Sequence, residues 1–128
     1  MRIQVRDFMN SPVMKCTLST DVGKVLELMR IHRLSALPVV DIQGNQVEIK
    51  GIITIRDMSE VVNPNEAVEQ FMSDRVSVVH PDSSAQSAAQ MMIKKGVHHL
   101  VVMEEGAIVG ILSSSDFVKL VSEYQLED

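Results

Sequence analysis

Two stretches of the sequence place a hydroxyl three residues before a carboxylate. GIITIRD contains Thr54 and Asp57, and GILSSSD contains Ser113 and Asp116. A carboxylate can accept hydrogen bonds from neighbouring hydroxyls of a sugar, and each charge-assisted bond contributes about 1.5–3 kcal/mol. Asp57 and Asp116 are also suited to be ordinary N-caps, because carboxylate oxygens accept hydrogen bonds from the free N–H groups of a helix start. The pattern leaves both interpretations open, a site for a polyhydroxylated ligand and a helix cap.

The composition is that of a globular protein and argues against several classes of function. The chain has 128 residues, 45% hydrophobic and 23% charged, with a formal net charge of −5. Mixed charges and only 3% aromatic residues argue against nucleic-acid binding. The apolar runs LPVV and LVVM are too short to span a membrane, and the charged N-terminus does not resemble a signal peptide. A single cysteine, Cys16, fits a reducing compartment, so we expect a cytoplasmic protein.

The chain contains an internal repeat. A shift of 63 residues pairs Met9 with Met72 and Leu37 with Leu100. After a shorter loop in the second copy, the shift falls to 59 and GIITIRD lies over GILSSSD. We therefore divide the sequence into repeats 1–62 and 63–128. A unit of about 60 residues buries too little surface to be stable alone, so we expect both repeats to form one compact module.

Each repeat predicts the element order β-α-β-β-α. Apolar residues spaced three and four apart after a Ser/Thr/Asp cluster predict amphipathic helices beginning at residues 22 and 85, and Gly96 is placed to end the second one. Short apolar runs predict the strands, and the two aspartates of the motif are expected to open the closing helices. The strands are predicted at 13–18, 36–41 and 48–55 and at 76–80, 99–103 and 107–112, and the closing helices at 57–62 and 116–124.

The ordered duplication of these motifs resembles a known family. A valine four residues before Met9 or Met72, a capped helix, a segment like LPVVD, and a closing G-h-h-[ST]-x-x-D (h, hydrophobic) occur in order and twice. This is similar to a tandem pair of CBS domains, the cystathionine-β-synthase regulatory repeat, also called a Bateman module. The resemblance implies an α/β (α+β) fold of two repeats packed sheet to sheet around a pseudo-twofold axis, here as a stand-alone module.

The resemblance also implies a ligand and partners. It implies an adenosine-containing ligand in clefts between the repeats, with AMP, ADP or ATP expected before S-adenosylmethionine or NAD, and no required cofactor. It further implies a homodimer that senses cellular energy and signals to a regulated protein, so far unidentified, through its geometry. We expect neither nucleic acid nor a membrane as a partner.

The resemblance assigns roles to particular residues. Asp57 and Asp116 correspond to the acids that bind ribose, and Thr54 and Ser113 to the hydroxyls that reach the phosphate. Arg56 could donate two hydrogen bonds to a phosphate or be an ordinary surface arginine, and Ser115 takes its place in the second repeat. The resemblance places His98 and His99 near the phosphate or ring, although a plain strand-edge histidine is the alternative for His99. It places Thr17, Ala36, Ile52 and Ile111 near the adenine, where buried aliphatic residues are expected with or without a ligand.

The residues do not support an enzyme or a metal site. No G-x-S-x-G sequence surrounds the serines, no phosphate-binding glycine loop occurs, and the four histidines and one cysteine lack zinc-ligand spacing. We therefore expect neither catalytic nor metal-binding residues. The leading hypothesis is a non-catalytic regulatory module that binds an adenine nucleotide, and the alternative is a ligand-free dimerisation or scaffolding module.

Overall fold

The computed structural model describes residues 2–123 and divides the chain into two compact units. The first unit is Met14–Val76. The second unit combines the residues before Met14 with those from Ser77 onward. Each unit contains one three-stranded sheet, so the predicted α/β class with two similar halves is confirmed.

The two units share the order β-α-β-β, and the second unit adds a closing helix. The first unit contains β1 (Cys16–Thr17), α1 (Val22–His32), β2 (Ala36–Gln43) and β3 (Gln46–Thr54). The second unit contains β4 (Val78–Val79), α2 (Ala85–Lys95), β5 (His99–Glu104), β6 (Ala107–Ser113) and α3 (Ser114–Glu123). In each sheet the middle strand pairs parallel with the short first strand and antiparallel with the third. Short 3-10 helices at Val5–Asp7, Arg56–Met58 and Val68–Gln70 complete the described structure.

The helices form where the apolar spacing and the caps predict them. Val22, Val25 and Met29 are buried on one face of α1, and they pack in an apolar cluster with residues of β2 and β3. The side chain of Ser84 caps α2 by accepting a hydrogen bond from the Ser87 N–H. Gly96 ends α2 at φ 64°, a left-handed conformation that glycine adopts without steric cost.

The two closing helices differ from the prediction. In the first repeat the predicted helix 57–62 is wrong, because a single 3-10 turn, Arg56–Met58, replaces it. Two β-branched valines, Val61 and Val62, are followed by Asn63 and Pro64, and the residue before a proline is driven out of helical conformation. In the second repeat α3 begins at Ser114, two residues before the predicted start at 116, and the predicted last residue, 124, lies outside the described residues.

A segment near the start of each repeat pairs with the third strand of a sheet. We call residues 5–13 and 68–76 the leading segments. In the second unit Asn10 exchanges two backbone hydrogen bonds with Ile111 of β6 at 2.9 and 3.1 Å. In the first unit Ser73 does the same with Ile52 of β3 at 2.9 and 3.0 Å. Each packed unit therefore contains the leading segment of the other sequence repeat, a grouping that differs from the sequence division at 62/63.

Apolar contacts hold the leading segments against the same strands. Val5 and Val68 are fully buried in the two apolar clusters. In the second unit the ring of Phe8 meets the ring of Phe117 edge to face, with centroids 5.0 Å apart. The leading segments are thus integral parts of the two cores.

The glycines of the motif make room for this arrangement. A Cβ atom on Gly51 would lie 2.5 Å from the Ser73 carbonyl oxygen and 2.7 Å from the Met72 sulfur. A Cβ atom on Gly110 would lie 2.5 Å from the Met9 sulfur. All three distances are shorter than van der Waals contact. At Gly51 a backbone carbonyl blocks a side chain, whereas at Gly110 the Met9 side chain would have to move.

These contacts predict a difference between two alanine substitutions. Gly51→Ala should lower the free energy of unfolding by about 3 kcal/mol, because a backbone carbonyl blocks the new methyl group. Gly110→Ala should cost only about 1.5 kcal/mol, because the Met9 side chain can move. Urea denaturation would measure both, and Met9→Ala combined with Gly110→Ala should cost less than the sum of the two single changes. Equal losses from the two glycine variants would contradict this packing.

A second prediction concerns Cys16, which is buried in the apolar cluster of the first unit. Burial raises the pKa of its thiol to about 11. The thiol of the unfolded chain ionises near pH 8.5, so the stability that this difference contributes is present below about pH 8.5 and is lost as the pH rises toward 11. A disulfide reagent should therefore modify the native chain at pH 8 far more slowly than the urea-unfolded chain, whereas equal rates would show that Cys16 is accessible.

Candidate functional site

In the first unit, Thr54 and Asp57 form a reciprocal pair of hydrogen bonds. The Thr54 N–H donates to Oδ2 of Asp57 at 2.9 Å, and the Asp57 N–H donates to Oγ1 of Thr54 at 3.2 Å. This is the geometry of a capping box, in which two side chains satisfy each other's backbone N–H groups. It forms where β3 turns into the 3-10 helix, and both side chains remain partly exposed.

In the second unit, Asp116 is more heavily engaged. Its Oδ2 accepts hydrogen bonds from the Ser113 N–H at 2.7 Å, the Ser113 hydroxyl at 3.1 Å and the Asn10 amide Nδ2 at 2.9 Å. The Ser113 hydroxyl also lies 2.7 Å from that of Ser115. Asp116 is 8% exposed, and it is the one buried side chain among residues 2–123 that is polar or charged. This burial is tolerated because the carboxylate is hydrogen-bonded.

The capping interpretation needs a correction of position. Neither Asp57 nor Asp116 is the N-cap itself, because each follows the hydroxyl residue by three and returns a carboxylate oxygen to that residue's N–H. Thr54 is the last residue of β3 and Ser113 is the last residue of β6. In each pair, the hydroxyl residue therefore precedes the helix that contains the carboxylate. Hydroxyl residue and carboxylate therefore bond to each other in each unit. In the first unit the bonds are the reciprocal pair of a capping box, and in the second unit the Ser113 N–H and hydroxyl both donate to Asp116.

The register of the sheets brings further predicted residues beside these pairs. Ala36 lies opposite Thr54 on the neighbouring strand, and His99 lies opposite Ser113. His98 is exposed and precedes β5, and its carbonyl accepts a hydrogen bond from the Ser114 N–H at 2.9 Å. The strands thus place His98 and His99 at the end of the sheet where α3 begins.

The remaining predicted residues differ in exposure and in position. Arg56 is exposed next to Asp57, as a phosphate contact or a surface arginine would be. Ile52 and Ile111 are each 8% exposed, so little of either surface is accessible within its unit. Thr17 does not lie beside the Thr54–Asp57 pair. It is opposite Val40 of β2, four residues along that strand from Ala36, which is opposite Thr54. Its N–H and its hydroxyl both lie 3.0 Å from the Thr20 hydroxyl oxygen.

An apolar cavity beside α3 was not predicted from the sequence. It has a volume of about 360 Å³ and lies in the second unit between α2 and α3. Its walls include Met92, Ile93 and Phe117, with His98 and Ser114 contributing polar groups. No sequence motif marked this cavity, because most of its walls are apolar residues at the ordinary spacing of amphipathic helices.

Sequence spacing also missed a cluster of charged residues in the second unit. His80, Asp82 and Glu104 place one potential metal-ligating atom each within 4.8 Å of one another. Arg6 forms ion pairs with both carboxylates, and its hydrogen bond to Asp82 holds the pKa of that carboxyl below its usual value. The cluster is partly exposed, and Arg6 offsets one of its two negative charges. Arg6 and Glu104 are far in sequence from His80 and Asp82, so spacing alone could not reveal the cluster.

Comparison with known proteins identifies the family. Residues 5–63 and 68–123 each match the CBS domain. The chain belongs to the CBS domain family. An uncharacterized protein of Methanocaldococcus jannaschii is 26% identical over 121 residues, which are 91% of this chain and 42% of that relative. The CBS pair therefore spans less than half the length of that relative.

Solved structures share the fold. The CBS domain pair of protein MJ0100, in complex with 5′-methylthioadenosine and S-adenosyl-L-methionine, superposes with a TM-score of 0.84 at 23% identity, covering 95% of this chain and 98% of that chain. A putative signal-transduction protein with CBS domains from Burkholderia ambifaria superposes with a TM-score of 0.76 at 28% identity, covering 91% and 88%. The fold of a CBS domain pair is thus established for this chain.

Within residues 2–123, no helix combines the length and the apolar character needed to cross a membrane.

The hydrogen bonds of the site predict unequal stability effects. Asp116→Ala should lower the free energy of unfolding by about 2–3 kcal/mol, because it leaves the Asn10 amide and the Ser113 N–H without their acceptor. Asp57→Ala should cost about 1 kcal/mol, as for loss of a partly exposed cap. Asp21→Ala is the matched control, since the Asp21 side chain makes no cap hydrogen bond, and it should change stability by less than about 0.5 kcal/mol. Urea denaturation of the three variants checks this order, and a larger loss for Asp57→Ala would contradict it.

Proposed function

We propose that this CBS domain pair is a non-catalytic regulatory module that binds an adenosine-containing ligand, AMP, ADP or ATP, at its two hydroxyl–carboxylate pairs. The observation that carries the proposal is the duplication of one polar arrangement, Thr54 with Asp57 and Ser113 with Asp116, at the same place in two sheets. A carboxylate has two oxygens and about four acceptor sites, so a capping carboxylate still has acceptor capacity for ribose hydroxyls. Capping and ligand binding are compatible in the same side chain.

The structural relatives support the ligand class. The MJ0100 domain pair was solved with 5′-methylthioadenosine and S-adenosyl-L-methionine, and both molecules contain adenine and ribose. 5′-Methylthioadenosine has no phosphate, so the part common to both ligands is the nucleoside. In the present chain the two aspartates are suited to the ribose, and Ala36 and His99 lie on the strands beside them.

The two proposed sites differ in charge. Arg56 is exposed beside Asp57 and can donate two hydrogen bonds to a phosphate. At the equivalent place the second repeat has Ser115, a neutral residue whose hydroxyl contacts Ser113. The site at Asp57 is therefore better suited to a ligand with more phosphate groups, whereas His98 and His99 are the basic candidates near Asp116.

We place this module in the cytoplasm as a homodimer whose geometry regulates another protein. A ligand shifts such an equilibrium only by the difference in its affinity for the alternative geometries. The alternative function is a ligand-free dimerisation or scaffolding module, because the capping bonds alone are a structural use for all four motif residues.

Thermal unfolding with candidate ligands separates the two functions. A ligand at 100 times its dissociation constant adds about 2.7 kcal/mol of stability, which for a chain of this size raises the melting temperature on the order of 5–10 °C. We expect such a rise with AMP, ADP or ATP, and smaller rises with S-adenosylmethionine and NAD. No rise with any of the five would favour the scaffold.

Charge-removing variants test the site itself. Asp57→Asn and Asp116→Asn keep an oxygen that can accept the capping N–H but remove the charge that strengthens bonds to ribose. Each should reduce the stoichiometry of AMP in isothermal titration calorimetry from two sites to one, while Asp21→Asn should leave both sites intact. Retention of both sites in both variants would rule out the aspartates as ribose ligands.

A further inference from the structure

Asn10 connects a leading segment to the carboxylate of the second unit. Its amide Nδ2 donates to Oδ2 of Asp116 at 2.9 Å and to the Ile111 carbonyl oxygen at 3.4 Å. Its backbone is held by the reciprocal pair of hydrogen bonds with Ile111. Asn10 is therefore held both by its backbone and by its side-chain amide, and the amide donates to a carboxylate that is almost fully buried.

The other repeat lacks this amide. The shift of 63 residues places Ser73 at the position of Asn10, and Ser73 keeps the same backbone pairing, with Ile52. Its side chain is shorter, and its hydroxyl accepts a hydrogen bond from the Arg75 N–H at 3.2 Å. The repeats thus share the backbone arrangement and differ in the group presented to the motif.

We propose that Asn10 is a positioning residue that orients Asp116 and makes the site in the second unit the tighter of the two nucleotide sites. The proposal rests on the proposed function. With Oδ2 held by Asn10 and Ser113, the orientation of the carboxylate is set when the chain folds, and Oδ1 is the oxygen that accepts the ribose hydroxyl. Ordering a side chain before the ligand arrives removes that ordering cost from the binding step.

An exchange of the two residues tests the proposal on the whole chain. Asn10→Ser gives the second unit the residue of the first, and it leaves the backbone pairing with Ile111 in place. Isothermal titration with AMP should show the tighter site weakened about fivefold, as expected when the cost of ordering one side chain returns to the binding step. Ser73→Asn should leave the tighter site unchanged and is expected to strengthen the weaker one, because it supplies an amide at the equivalent position.

A ligand without either ribose hydroxyl separates positioning from general loss of structure. If Asn10 acts by orienting Asp116 toward the ribose, Asn10→Ser should weaken AMP about fivefold and 2′,3′-dideoxy-AMP by less than twofold. A merely structural effect would weaken both ligands equally and would overturn the proposal. Melting temperatures of the free variants show whether each one is folded.

The failures are distinguishable. No binding of AMP to the unchanged chain overturns the proposed function, and this inference with it. Two-site binding by the unchanged chain, with Asn10→Ser at unchanged affinity, overturns the inference alone. Tighter binding by Asn10→Ser also overturns it, because Asn10 would then compete with the ligand for the carboxylate.

Discussion

The pairing of each leading segment with the third strand of a sheet is the constraint on which the other features depend. A single backbone bridge, Asn10 with Ile111 or Ser73 with Ile52, joins the segment to the strand edge. A sheet edge with unpaired N–H and C=O groups is a liability in a small protein, and the leading segment covers part of it. The bridge also favours glycine at positions 51 and 110, since a side chain there would meet the backbone of the crossing segment at Gly51 and the Met9 side chain at Gly110. The duplicated glycine thus supports the same packing of a leading segment against a strand in both units.

That arrangement brings the leading segment to the polar motif. Ile52 and Ile111 are each two residues before the hydroxyl of the motif, so the residue that bridges them lies next to the capping box. In the second unit this puts an amide on the Asp116 carboxylate. The structural hydrogen bonds of the motif thus use the same carboxylate that the proposed function assigns to the ligand.

The two repeats share the order β-α-β-β and its strand pairing, and they differ in side chains. In the alignment of the two repeats, Arg56 corresponds to Ser115, Asn10 to Ser73, and Ser35 to His98. The closing segment also differs, as a 3-10 turn in the first repeat and the helix α3 in the second. Such differences give the two hydroxyl–carboxylate pairs chemically distinct surroundings on one duplicated scaffold.

The sequence by itself determined the repeat, the element order, the starts of α1 and α2 and the pairing of a hydroxyl with a carboxylate. These depend on local rules: the spacing of apolar residues, the preferences of capping residues and the freedom of glycine, all of which act within a few residues. The closing helix predicted at 57–62 was wrong. The prediction followed the acid at a cap position, whereas the two valines and the proline after it disfavour a helix. Local pattern also misplaced the cap by three residues, because it could not show which oxygen meets which N–H.

Only the tertiary structure decided which leading segment joins which sheet. Residues 10 and 111 are a hundred positions apart, and no periodicity connects them. The same holds for the contact of Asn10 with Asp116 and for the cluster of Arg6, His80, Asp82 and Glu104. Such pairings are selected by the packing of whole elements, since many long-range partners satisfy the same local pattern and only the packed core distinguishes among them.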